Sequence, residues 1–161
     1  MADLAAQLEA VRSGALLRPL PELSTLRVSG RERQSWLAGL VTADVQALAI
    51  GRGCYALHVT RTGKIQAELW IAVDAEQIVL GVQAELAEGL RKAMDTFLIM
   101  EDAELSLAPE RHGWWLAHGP KSQAVVEVAR EHGAVAATAH WGELDTAIVA
   151  APARVDHNLA E

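Results

Sequence analysis

Cysteine, positive charge and long apolar runs are what this chain has least of. Cys54 is its single cysteine, which excludes an internal disulfide and a cysteine-rich metal site and suits a reducing compartment. The 14 Lys and Arg are outnumbered by 21 Asp and Glu, a formal net charge of -7. Phosphate binding needs a basic surface, which argues against a general nucleic-acid binder and leaves only a local basic patch open. Arg27, Arg31 and Arg33 form the densest basic run and read as a solvated helix start. No apolar run approaches the ~20 residues that span a bilayer. The opening Met1-Ala2-Asp3-Leu4 lacks the basic and apolar regions of a signal peptide. The expectation is a soluble, cytoplasmic protein with no membrane partner.

Chemistry-bearing arrays are scarce too. The six histidines, His58, His112, His118, His132, His140 and His157, include no His-x-x-x-His or His-x-His pair, and the expectation is no metal site. Gly51-x-Gly53 is too short for a phosphate loop and leads into a strand rather than a helix. No Ser-His-Asp order falls at a nucleophile turn.

What is present is a core. Hydrophobic residues make up 51% of 161, enough for one domain or two small subdomains sharing a core. Residues 3–14 carry Leu4, Leu8 and Val11 on one stripe and stop at Ser13-Gly14, an amphipathic helix. Pro19 and Pro21 force an extended or turn segment. Residues 23–28 alternate as a strand. A helix follows, capped by Ser29 or Gly30, with Glu32 in its first turn and Trp36, Leu37, Leu40 and Val41 at helical spacing. Thr42 and Asp44 end it or begin a short turn. Residues 54–60, 65–73 and 77–82 read as three consecutive antiparallel strands, the first pair joined by Arg61-Thr62-Gly63. Residues 84–98 form a helix with Leu86, Leu90 and Met94 on one face. A second round follows. It has strands at 104–107 and 114–117, a helix from Lys121 to Gly133 with Val125, Val128 and Ala129 inward, and strands at 134–140 and 146–150 around Trp141-Gly142-Glu143. This interleaving predicts an α+β fold with antiparallel sheets and packed helices, built from repeated strand-helix-strand units.

The most regular stretch is 60–73, TRTGKIQAELWIAV. Ile65, Ala67, Leu69, Ile71 and Val73 alternate onto a face that reads as buried. Gln66, Glu68 and Trp70 share the other face, where a tryptophan beside a carboxylate and an amide is unusual.

Several local patterns, in order, resemble one superfamily. Leu26-Arg27-Val28-Ser29-Gly30, then Trp36 through Val45 with Thr42-Ala43-Asp44-Val45, is similar to the opening of the glycine-cleavage T-protein and its YgfZ-type relatives, with Ala43 where Asn is usual. Gly51-x-Gly53-Cys54-Tyr55 resembles the family's entry to a hairpin, Thr62-Gly63-Lys64-Ile65 its turn, and Gly119-Pro120 the turn before its next helix. The resemblance runs from about residue 23 to 150. It implies a tetrahydrofolate-binding fold, over the first half of a typical member. Residues 1–22 then form an N-terminal helix and linker, 23–152 the folate-binding-like domain, and 153–161 a polar tail. The segment Arg52 to His58 is superficially similar to the YgfZ signature Lys-Gly-Cys-Tyr-x-Gly-Gln, but Leu57-His58 replaces its ending, and Cys54 reads as an ordinary strand residue.

In the T-protein two acids follow the hairpin glycine. Here Ala67 stands at the first position and Glu68 at the second. The resemblance thus implies that Glu68 holds or polarises a reduced folate, with Trp70 stacking on its heterocycle and Gln66 beside them. The alternative open at this point is a solvated carboxylate with Trp70 packed under a helix or a partner chain. Because Ala67 removes one acid, a binding protein is the reading over an enzyme, aminomethyltransferase-like at most. Iron–sulfur cluster maintenance and one-carbon metabolism are the roles the resemblance implies. A non-catalytic interaction module, or a subunit of a split enzyme, is the alternative. An incomplete second unit would expose sheet edge, so the expected partner besides folate is a second copy, as in the TrmE-type folate domains, or a complementary chain, with the 146–150 strand near the contact.

Overall fold

A computed structural model describes residues 3–108 and 111–152; the 153–161 tail lies outside the described residues. The chain forms α1 (Leu4–Ser13), β1 (Leu16–Pro19), β2 (Leu23–Ser29), α2 (Arg33–Ala38), a 3-10 turn (Val45–Ala47), β3 (Gly53–Val59), β4 (Ile65–Val73), β5 (Ile78–Gln83), α3 (Ala84–Asp95), β6 (Glu104–Leu107), β7 (His112–His118), α4 (Ser122–Glu131), β8 (Val135–Trp141) and β9 (Leu144–Pro152). Every strand pair within the sheets is antiparallel. One sheet has the order β3-β4-β5-β2-β6, the other β1-β7-β9-β8. This is the α+β architecture that the alternation predicted.

Three apolar clusters define the layers. Leu69, Ile71 and Val73 of β4 point into the first, with Leu26, Leu80, Leu37 of α2 and Leu90 and Met94 of α3. The opposite face of the same sheet supplies Ala72 and Val79 to the second, where they meet Trp114, Leu116, Ala137 and Ile148 of the other sheet. The third lies between the second sheet and α4, and is alanine-rich: Ala117, Ala136, Ala147 and Ala151 against Val126 and Ala129. The order is helices, five-stranded sheet, four-stranded sheet, helix. Each fully buried Leu or Ile stabilises this arrangement by ~1.5–3 kcal/mol, so residues 71–73 of β4 and 146–151 of β9, buried on both faces, anchor the domain.

The sheets also meet through polar and backbone contacts. Trp114 is buried between them and its Nε1–H donates to Thr25 Oγ1 at 2.9 Å. Thr138 N–H donates to the Gly51 carbonyl at 3.0 Å, and Arg52 Nη1 donates to Thr138 Oγ1 at 2.8 Å. At Gly53, a Cβ would collide with the Ile71 carbonyl and crowd Ile148 and Ala137. Only glycine allows so close an approach of β8 to β3.

Several local expectations change. The α1 stripe is not a core face: Leu4 and Leu8 are exposed and none of its residues is buried. Asp3 caps it, accepting from Ala5 N–H at 3.2 Å. α2 begins at Arg33, with Glu32 in the cap position and no side-chain cap. Gly30 packs at φ 98° against Asp102, and Glu32 instead accepts from Asp102 N–H at 2.6 Å. The helix ends at Ala38, because Val41 has left it to bridge to His58. On α3 the buried face is Ala87, Leu90 and Met94, with Leu86 exposed. On α4 it includes Val126 and Ala129, with Val128 exposed. Leu16–Pro19, read as an extended linker, pairs with β7. The 146–150 segment is not near a free edge. It lies in β9, between β7 and β8, and is buried.

Candidate functional site

The β3–β4 hairpin builds the site. Its turn closes with Thr60 N–H on the Lys64 carbonyl at 2.8 Å and Gly63 N–H on the Thr60 carbonyl at 2.9 Å. Gly63 sits at φ 81°, a left-handed conformation that side chains resist. Val59 then pairs with Ile65, but His58 pairs with Ala67. Gln66 is the extra residue of a β-bulge, so Gln66 and Ala67 together oppose His58.

That one residue reorganises both faces. Ile65, expected inside, is 62% exposed, because the strict alternation breaks at the bulge. Beyond it, Tyr55 faces Trp70 directly and Leu57 faces Glu68. Gln66 separates from the other two predicted site residues. It lines a cleft with His58 and Ala93 on the α3 side of the sheet.

Glu68 and Trp70 stay together on the face toward the second sheet. Tyr55 Oη donates to Glu68 Oε1. The rings of Tyr55 and Trp70 lie 5.0 Å apart at 57°. Trp141, at the end of β8, stands edge-on to Tyr55 at 5.0 Å and tilted to Trp70 at 5.3 Å. These spacings are those of favourable aromatic pairs. Trp141 reaches the cluster because Thr138 and Arg52 hold β8 against the start of β3. Trp70 packs on the inter-sheet core while Trp141 remains 45% exposed. The three rings thus close the end of that core and present aromatic surface beside a carboxylate. This answers why a tryptophan shares a strand face with an acid.

The electrostatics follow. Burial, then the hydrogen bond and charge of Glu68, push the Tyr55 phenol up to about 12. Tyr55 therefore remains a donor to Glu68 at neutral pH. Glu68 is exposed and, as a carboxylate, has acceptor capacity beyond the bond from Tyr55. Burial also raises the neighbouring Cys54 thiol to about 11, which leaves it a poor nucleophile. His118, against Thr146 at 3.0 Å, is lowered by burial and then by Arg18. Among the described residues no group of three or more His, Cys, Asp or Glu is placed to hold a metal ion. None of the described helices is long and apolar enough to cross a membrane.

Tyr55, Trp141 and His58 carry no site role in the sequence reading. Tyr55 lies inside the hairpin-entry motif, and its spacing to Glu68 across the turn is the signal that a correct hairpin register would have used. Trp141, read as part of a turn, had none, since its contacts come from another sheet.

Residues 1–155 match the model of the GCVT N-terminal domain family, and the chain belongs to that family. A solved glycine cleavage system aminomethyltransferase T from Bartonella henselae superposes over 96% of this chain and 46% of its own, with a TM-score of 0.71 and 16% identity. The fold is therefore that of aminomethyltransferase T. A heterotetrameric sarcosine oxidase from Corynebacterium sp. U-96 covers 95% of this chain and 85% of its own at a TM-score of 0.48 and 15% identity. In sequence, the Arabidopsis thaliana protein named "Putative transferase At1g60990, chloroplastic" is 26% identical over 122 residues, 74% of this chain. The chain spans 28% of that relative and 46% of the Bartonella protein.

Proposed function

We propose that the domain binds a reduced folate at the Tyr55–Glu68–Trp70–Trp141 face. The observation that carries this reading is a half-exposed three-ring cluster with an accessible carboxylate at its centre. A flat heterocycle with N–H donors needs those two things, a π surface and an anionic acceptor. Family membership supports the same ligand class. Glu68 accepts from the pterin, Trp141 and Trp70 stack on it, and Tyr55 holds the carboxylate in place. Gln66 belongs to a different surface and is not part of this site. Iron–sulfur cluster maintenance and one-carbon transfer are the two roles consistent with such binding, and binding without catalysis is the form favoured by Ala67 in place of a second acid. The test is titration with 5-formyltetrahydrofolate, followed by tryptophan fluorescence. A saturable change that disappears in Trp70→Phe and Trp141→Phe supports the site. No saturable change in the wild-type chain overturns it.

A second reading concerns a protein partner. Ile99 is 83% and Met100 91% exposed in the turn after α3, next to the half-exposed Phe97. Contiguous bare apolar side chains of this kind mark contact surfaces. They favour pairing with a second copy, or with a complementary chain, through this turn.

A further inference from the structure

Behind the five-stranded sheet, away from the aromatic face, a cleft of about 640 Å³ opens between the turn of the β3–β4 hairpin, the loop after α2 and the end of α3. It continues along α3 as a smaller concavity of about 290 Å³ that shares His58, Gln66 and Ala93. The larger volume falls within the ~300–1,000 Å³ of small-molecule sites. Its walls are apolar, from Leu40, Val41, Val59 and Phe97.

Six polar side chains break that lining; the hydroxyls of Thr42, Thr60 and Thr96 are hydrogen-bonded within the protein, which leaves His58, Gln66 and Arg61. His58 is 6% exposed, and its Nδ1–H donates to the Leu40 carbonyl at 2.8 Å, since a carbonyl only accepts. In the neutral ring Nε2 is then an acceptor, and it has no partner among the described residues. His58 lines the cleft, so this nitrogen is open to accept from a ligand there. Gln66 is brought to the same cleft by the bulge, the device that re-aims side chains beside functional sites. Its amide likewise has no partner among the described residues. Arg61 lines the mouth from the hairpin turn, exposed and unpaired with any described carboxylate, in a chain whose net charge is -7.

The geometry points to a second ligand site here, which takes a small carboxylic acid with an apolar, hydroxyl-bearing body. The hydroxyl donates to His58 Nε2 or the Gln66 carbonyl oxygen, the body fills the apolar walls, and the carboxylate meets Arg61. Hydroxyaryl carboxylates have this layout. The site is independent of the folate reading, because Tyr55, Glu68, Trp70 and Trp141 lie on the other face of the sheet.

The probe is 4-hydroxybenzoate, followed by nitrogen-15 NMR of the full chain. Trp36 reports on the cleft, because its Nε1–H donates to the Phe97 carbonyl at 3.3 Å. The expected result is a saturable shift of the Trp36 indole and His58 ring signals, unchanged in Glu68→Ala. Benzoate, which lacks the donor, binds about fivefold more weakly. Arg61→Ala weakens 4-hydroxybenzoate about threefold, the size of an exposed ion pair, and leaves the neutral 4-methylphenol unaffected. Three results would overturn the proposal: no saturable shift, shifts at Trp70 and Trp141 instead of Trp36, or equal affinity for all three compounds in the wild-type chain and Arg61→Ala.

Discussion

Tyr55 and Glu68 stand on adjacent strands, offset by two residues in the pairing, and the phenol of one donates to the carboxylate of the other across that diagonal. Such diagonal neighbours are within reach of long side chains. The contact depends on the register that the Gln66 bulge sets.

Tyr55 is the only tyrosine in the chain, so its ionisation can be read directly by ultraviolet absorbance. The phenolate should appear near pH 12, not near its ordinary value of 10. Because the folded value is raised, the associated stability is complete below pH 10 and is lost as pH rises from 10 through 12. Burial is the larger cause and Glu68 the smaller. Glu68→Gln should therefore lower the midpoint only part of the way. A wild-type midpoint at 10 would show that the phenol is neither buried nor bonded as described.

Glu68→Ala should weaken 5-formyltetrahydrofolate binding by ~1–3 kcal/mol, the range for a hydrogen bond to a charged group. Thermal stability should hardly change, since the carboxylate is exposed. Calorimetric titration beside a melting curve separates the two effects. Equal affinity in the variant would remove Glu68 from the site.

Thr25→Val should destabilise the domain by ~1–3 kcal/mol, because the Trp114 indole N–H, buried between the sheets, would lose its acceptor. Urea denaturation measures this. Trp114→Phe removes the donor as well as the bicyclic ring, so a larger loss there, from the cavity, would fit the same account.

Sedimentation at micromolar concentration should show self-association that is abolished by Ile99→Asp with Met100→Asp. Neither residue is buried, so the double variant should remain folded. A wild-type chain that sediments as a monomer without a partner would count against a homodimer through this turn.

Gly53→Ala should be strongly destabilising despite the small change. The added methyl would meet the Ile71 carbonyl and the side chains of Ile148 and Ala137, where overpacking costs ~1–3 kcal/mol. A melting temperature equal to that of the wild type would mean that β8 does not approach β3 so closely.

Much of the fold was legible because it is local. Alternation located β2, β3, β5 and most of β4, and helical spacing located α3 and α4. The resemblance then placed those elements in one family, in agreement with the family match and the shared fold. Glu68 and Trp70 were legible as unusual neighbours on a strand. Their surroundings were not. Period-two reasoning has no term for an inserted residue, so it placed Ile65 inside and kept Gln66 with Glu68, and the bulge reversed both.

By itself the sequence determined the order of elements, the turn at Gly63 and the apolar face of β4 beyond the bulge, because these depend on backbone preference and residue spacing along one segment. Only the tertiary structure decided which side chains meet. Trp141 lies 86 residues from Tyr55 in number, about as far as Trp114 from Thr25, whose separation is 89, and nothing local links either pair. They are brought together by two sheets packing face to face, through an alanine- and glycine-lined approach that is set by the volumes of residues on both sides.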